Sequence, residues 1–230
     1  IYRHYTAGRQ SPVAIRNFLS YVYSVCPNFK YVLFAGAGHY EYRGSNSKLT
    51  ANLVPPFEKE NAVIEDFFAA LDSGESVGYG SYDIDVAVGR LPFLTAEEFG
   101  NYIQKAKEYE KPGVMDYSDW RSTLLLAADD ALNSGRVDNS RHSIYQENIA
   151  NLIDSLSAKK QQRWSIKKVY LLEYPEDAAG QKKEASDNLI NIMNQGTLFT
   201  TYFGHGSKTD WASEGLLKPR YISRLNNEGR

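Results

Sequence analysis

The sequence predicts an α/β fold, a mostly parallel sheet with helices on both faces. Candidate strands and helices alternate along the chain, the pattern of successive βα units. The strand candidates are short apolar or aromatic runs without strict alternation, as expected of strands covered on both faces. The residues with chemistry to offer fall where those runs end, at Gly36-Ala37-Gly38-His39, Asp129-Asp130 and Gly204-His205-Gly206. Open α/β sheets place function at the carboxyl ends of strands.

Taken in order, Ile1 to Arg9 reads as a connecting segment. Ser11-Pro12 supplies an N-cap and a first helical residue, and Val13, Ile15, Phe18, Leu19 and Val22 recur at helical spacing through Tyr23. Phe29 to Gly36 reads as a buried strand, and Gly44 to Pro56, rich in Ser, Asn and Pro, as a loop. Ala62 to Leu71 is expected to be a short helix ending at Asp72-Ser73-Gly74. Asp83 to Pro92 is the next strand. Thr95 to Glu98 opens a helix with a carboxylate in its first turn, ending before Pro112-Gly113. Trp120 to Asp130 is a strand ending in two acids. A polar loop, Asn133 to Arg141, and a helix, Ile144 to Leu156, follow. Ile166 to Tyr174 is a strand, Lys182 to Asn194 a helix, Gly196 to Phe203 a strand, and Pro219 to Leu225 a last helix start. The 230 residues are long enough for one large domain or two small ones.

Apolar content of 42% and charged content of 23% are those of an ordinary globular chain. A net charge of −2 gives no electrostatic footprint for nucleic acid or an anionic membrane. No stretch reaches membrane-spanning length. No signal peptide is visible, and the chain begins at Ile1 without Met, so it reads as a fragment or a processed product. The single cysteine, Cys26, excludes an internal disulfide and a cysteine-rich zinc site; its apolar company suggests a buried structural thiol. There is no P-loop, and Gly36-Ala37-Gly38 supplies only part of a dinucleotide fingerprint. A nucleotide- or sugar-binding domain is therefore the weaker alternative.

His205 stands between two glycines at the end of an aromatic strand run. Glycine on both sides leaves the backbone open to a substrate main chain, and an imidazole there suits acid–base work near neutral pH.

Several segments together resemble the gingipain-like cysteine peptidases, which include the arginine- and lysine-specific gingipains and the type IX secretion sortase. They are Pro12-x-x-Ile15-x-x-Phe18-Leu19 with Tyr31-Val32-Leu33-Phe34-Ala35-Gly36; Val88-Gly89-Arg90-Leu91-Pro92 with Glu97-Glu98, Lys105 and Tyr109-Glu110; Leu125-Leu126-Ala127-Ala128-Asp129-Asp130; Gln146-Glu147-Asn148-Ile149-Ala150; and Tyr202-Phe203-Gly204-His205-Gly206-Ser207-x-Thr209-x-Trp211. The resemblance covers nearly the whole chain. It implies a single caspase-like catalytic domain over residues 1–230, a three-layer α/β sandwich.

The same resemblance implies an endopeptidase working through a Cys-His pair, in which a thiolate attacks the peptide carbonyl and the imidazole protonates the leaving amine. The catalytic His falls on His205, an oxyanion-hole N–H on Gly206, and the imidazole-orienting acid on Asp130, with Asp129 as neighbour. Substrate contacts fall on His142, Ser143, Phe203 and Trp211. It further implies a secreted or cell-surface location, a protein or peptide substrate, and no required cofactor. Structural calcium occurs in gingipain relatives, and Asp83, Asp85, Asp129 and Asp130 are its candidate ligands here.

Two departures matter. The family's nucleophilic cysteine lies on the strand following the His, and these residues stop before it; Cys26 precedes the first strand and is out of place for that role. The remainder of the domain is thus an expected partner, and an inactive caspase-like scaffold in protein secretion is the rival reading. The position that carries an Asp for a substrate guanidinium is here near Ser143, preceded by His142, so specificity for basic residues is not expected. At the first strand turn Ala37 stands where the family often has an Asp.

Overall fold

A computed structural model describes residues 1–39, 41, 52–60, 62–75, 77, 82–110, 119–133, 136–137, 141–160 and 163–228. The chain divides into two compact units, Ile1–Lys107 and Glu108–Arg230.

In the first unit the opening segment forms a one-turn helix, α1 (Tyr2–Tyr5), where only a connection was expected. Helix α2 (Pro12–Val25) starts as the sequence predicts: Ser11 Oγ accepts the Val13 N–H at 3.2 Å, with Pro12 in the first turn. Its stripe of Ile15 and Leu19 packs with Phe34, Phe68, Leu71 and Val86. Strand β1 (Tyr31–Ala35) is not buried on both sides. Phe34 faces the core while Tyr31 and Leu33 are exposed. Cys26 is likewise exposed, not buried. The helix stops at Val25 and Cys26 turns extended (φ −125°, ψ 95°), which swings its thiol off the apolar stripe.

A small hairpin, β2 (Glu58–Lys59) with β3 (Ala62–Val63), and a 3-10 turn at Glu65–Phe68 replace the helix expected over 62–71. The Asp85 carboxylate takes the Leu71 and Asp72 N–H groups at 2.6 and 3.3 Å, an alternative to helical partners. Strand β4 (Ala87–Leu91) pairs in parallel with β1, from Tyr31 opposite Ala87 to Ala35 opposite Leu91. Helix α3 (Ala96–Tyr109) opens with a reciprocal cap. Thr95 Oγ1 accepts the Glu98 N–H at 3.2 Å, and the Glu98 carboxylate accepts the Leu94 N–H at 2.7 Å. Most of the expected 44–56 loop, and Pro112-Gly113, lie outside the described residues.

The second unit is a three-layer α/β/α sandwich. Strand β5 (Thr123–Ala128) is central, and a short hairpin, β6 (Leu132–Asn133) with β7 (Arg136–Val137), stands where a polar loop was expected. Then come α4 (His142–Lys160), β8 (Ser165–Tyr170), α5 (Lys183–Gln195), β9 (Phe199–Phe203) and α6 (Pro219–Ile222). The strand order is β8-β5-β9, all parallel. Alternate residues of β5 serve opposite layers: Leu125 and Ala127 pack with Leu189 and Ala185 of α5, Leu126 and Ala128 with Ala150 of α4. The strand read from 166 to 174 ends at Tyr170, where a 3-10 turn, Leu171–Glu173, takes over.

β9 was expected to be covered on both faces, but Phe199 and Phe203 are exposed. Among the described residues it pairs on one side only, with β5, which holds the covered central place. The register that puts Ala128 opposite Phe203 brings the two strand exits side by side. Among the described residues no helix is long and apolar enough to cross a membrane.

Candidate functional site

The Asp129 N–H continues the ladder to the Phe203 carbonyl at 3.0 Å, so Asp129 leaves β5 directly beside Gly204-His205 leaving β9. Its carboxylate is buried, and Oδ2 accepts from both the backbone N–H and the imidazole Nδ1 of His205, each at 2.9 Å. Oδ1 accepts the Asp130 N–H at 2.9 Å. The imidazole is thereby held by one edge while its side chain stays 41% exposed. Carboxylate behind, imidazole in front, is the arrangement that fixes the tautomer of a general base.

The sequence expectation that Asp130 orients the imidazole needs correction. Asp129 makes that hydrogen bond, and the Asp130 carboxylate turns the other way, to the buried Lys182 ammonium at 2.5 Å. Lys182 also donates to the Leu171 carbonyl at 2.7 Å. Asp129 is the acid bonded to the imidazole, while the Lys182 ammonium holds the Asp130 carboxylate beside it.

The glycines flanking His205 do different work. An added Cβ on Gly204 would fall on Asp129 Cβ and the Tyr202 ring; Gly204 makes room for the protein's own acid, not for a substrate. Gly204→Ala is expected to force Asp129 and Tyr202 apart, lower stability by about 1–3 kcal/mol in urea unfolding and shift the pH profile of any activity. Gly206 is open, with only the Asp210 carbonyl near. It forms a bridge with Trp211 closed by Ser207 N–H to Asp210 O and Ala212 N–H to His205 O, both 2.9 Å. Those bonds flank Gly206, so its own N–H faces out of the bridge.

His142 opens α4 and lies over the site. Its Nδ1 bonds the Asp130 carbonyl at 3.2 Å, and its ring meets those of His205 and Phe203 edge-on at 4.9 and 5.5 Å. Ser143, beside it, is half-buried in the first turn of α4. Phe203 also meets the Tyr145 ring at 5.3 Å. Trp211 sits differently from a substrate contact: its indole stacks on Tyr202 at 4.7 Å, against the core.

Several contributors were missed in the sequence. Gln146 is fully buried and its Nε2 donates to Ala127 O at 2.8 Å and Thr201 Oγ1 at 2.9 Å, stitching α4 to the β5–β9 seam. The Gln-Glu-Asn segment was its signal. Tyr202 donates its hydroxyl to the His205 carbonyl at 2.7 Å, and burial, with the Asp129 charge behind it, pushes the phenol pKa up. Glu214 is buried with Oε2 unpartnered, while Oε1 accepts from Ser213 at 2.8 Å. Neither Lys182 nor Glu214 announces itself in one sequence, because Asp130, bonded by the one and close to the other, lies far from both in the chain.

Burial pushes the Glu214 carboxyl up, with the Asp130 and Asp129 charges adding to it. An acid raised in the fold contributes stability that is complete below its unfolded value near 4.5 and is lost as pH rises through the folded value. Glu214→Gln is therefore expected to gain on the parent in urea midpoint as pH rises above about 4.5; parallel pH curves would refute this.

Among the calcium candidates, the carboxylates of Asp85 and Asp129 are already engaged. Asp85 accepts two backbone N–H groups, and Asp129 holds the imidazole. Asp129, Asp130 and Glu214 converge within 4.8 Å, but the Lys182 ammonium already bonds Asp130 there. Calcium takes six to eight oxygens. A cleft of about 520 Å³, lined by Trp120, Thr123, Ser165 and Gly196, opens at the opposite, amino end of the strands, away from His205.

No curated protein matches the chain. Among solved structures it is similar to the Arg-specific cysteine proteinase gingipain R (RgpB), with a TM-score of 0.58, 20% identity, and coverage of 94% of this chain and 42% of that one. It is also similar to a complex of Porphyromonas gingivalis RgpB pro- and mature domains, with a TM-score of 0.57, 19% identity, and coverage of 99% and 45%. The chain thus spans less than half the length of these structures, and shares their caspase-like α/β fold. The model of peptidase family C25 matches residues 1–230. With the whole length matched, the chain belongs to peptidase family C25.

Proposed function

We propose that this chain is the imidazole-bearing part of a cysteine endopeptidase. The observation that carries the reading is His205, held through Nδ1 by buried Asp129 at a strand exit and half open to solvent. In that role the Nε2 edge exchanges a proton with a thiol and then with the leaving amine. Asp129 orients the ring, and the outward N–H of Gly206 is placed to meet a developing oxyanion. The nucleophile is a cysteine from outside these 230 residues. Cys26, the single cysteine, caps α2 on the amino side of β1. Residues 1–230 then act as one catalytic domain completed by that segment.

His142, Ser143 and Phe203 form the wall a substrate side chain meets. These three side chains include no carboxylate to pair with Arg or Lys, which favours an uncharged residue. A secreted or surface setting, and a processing role of the sortase kind, accord with the gingipain likeness and go with this proposal. The chemistry calls for no cofactor.

The test is alkylation of the full-length protein. Peptide hydrolysis is expected to be abolished by a thiol reagent and to be equally abolished in Cys26→Ser, whose untreated activity matches the parent. Hydrolysis indifferent to alkylation would reject the cysteine mechanism, and complete absence of hydrolysis would favour the scaffold reading.

A further inference from the structure

The same corner of the second unit has a property that proton transfer does not require. Asp129, His142 and His205 each offer a ligand atom, and the three atoms lie within 4.8 Å of one another. A peptidase general base needs one carboxylate and one imidazole; the second imidazole is surplus to that chemistry.

We propose that Asp129, His142 and His205 form a zinc-binding site of the two-imidazole, one-carboxylate type, occupied reversibly. The donor set suits Zn²⁺, which favours imidazole nitrogen and a carboxylate oxygen and leaves a fourth position to water. A tetrahedral ion with bonds of about 2.0–2.2 Å spaces its ligands roughly 3.3 Å apart, so the trio closes with side-chain shifts on the order of 1 Å.

The surroundings support ligation. A carbonyl oxygen only accepts, so the 3.2 Å contact to the Asp130 carbonyl makes His142 Nδ1 the donor and leaves the lone pair on Nε2. A backbone carbonyl behind a histidine is the usual outer support of a metal-binding imidazole. His142 is further braced by Phe203 at 5.5 Å, so little side-chain freedom remains to be lost on binding. Both imidazoles are partly exposed while Asp129 is buried, which leaves a path of entry from solvent. The neighbouring carboxylate group of Asp129, Asp130 and Glu214 is a poorer host, since the Lys182 ammonium already supplies its positive charge.

On the peptidase reading, zinc at this place removes His205 from proton transfer, so the site is inhibitory. The metal binding itself does not depend on that reading and is measured without substrate. The experiment is isothermal titration of the metal-free protein with Zn²⁺ alone. One equivalent is expected to bind, and His142→Ala to weaken it about tenfold to a hundredfold. His142→Cys, which returns a ligand to the same helix start, is expected to restore it and separates lost ligation from lost folding. The assignment is overturned if no equivalent binds, if affinity survives His142→Ala within about twofold, or if it is abolished instead by Cys26→Ser or His39→Ala.

Discussion

His205→Ala is expected to reduce peptide hydrolysis by the full-length protein on the order of 10⁴-fold in kcat/KM, with the fold intact. The size follows from the role. The thiol is a weak nucleophile until a base takes its proton, and the leaving amine departs poorly until an acid returns one. One imidazole does both, and among the described residues only His142 brings a second imidazole against it. The companion Asp129→Asn keeps the shape but withdraws the negative charge that holds Nδ1 as donor. It is expected to lower kcat more than it raises KM, because the charge matters most when the imidazole is protonated in the transition state. Far-ultraviolet circular dichroism of both variants guards against misfolding. Parent-like turnover in His205→Ala would remove this residue from the mechanism.

Lys182→Met is expected to lower stability by about 3–5 kcal/mol, the penalty for removing one partner of a buried ion pair. Lys182 and Asp130 side chains are 5% and 4% exposed, and the ammonium bridges Asp130 to the Leu171 carbonyl. Without it, the Asp130 carboxylate is buried next to Asp129 and Glu214 and has lost the ammonium that bonds it. A loss of that size takes a large share of a typical domain's 5–15 kcal/mol. Urea unfolding reads it directly. Adding Asp130→Leu is expected to recover most of the loss, since an apolar pair replaces a buried ion pair at little cost. A single variant within about 1 kcal/mol of the parent would show that the pair is not holding this corner.

The corrections share one cause. The residue type and the strand exit were legible at Asp129-Asp130, but which acid bonds the imidazole depends on where His205 and Lys182 arrive from distant parts of the chain. In place of the helix expected over 62–71, Asp85, on the approach to β4, took the Leu71 and Asp72 amides. Cys26 has apolar neighbours in the chain, but it is itself the extended residue that ends α2, and it is exposed. Phe199 and Phe203 read as buried because apolar composition marks a strand but not its place in the sheet.

By itself the sequence determined the alternation of strands and helices, the caps at Ser11 and Thr95, and the histidine between glycines. These rest on spacing and on residues next to one another in the chain. Only the tertiary structure decided that β5 is central and β9 lies beside it, that Asp129 meets His205, and that Lys182 neutralises Asp130. Each of those contacts joins residues more than fifty positions apart, and a contact across such a loop is set by parallel pairing and by the free energy of burying charge, neither of which leaves a local trace.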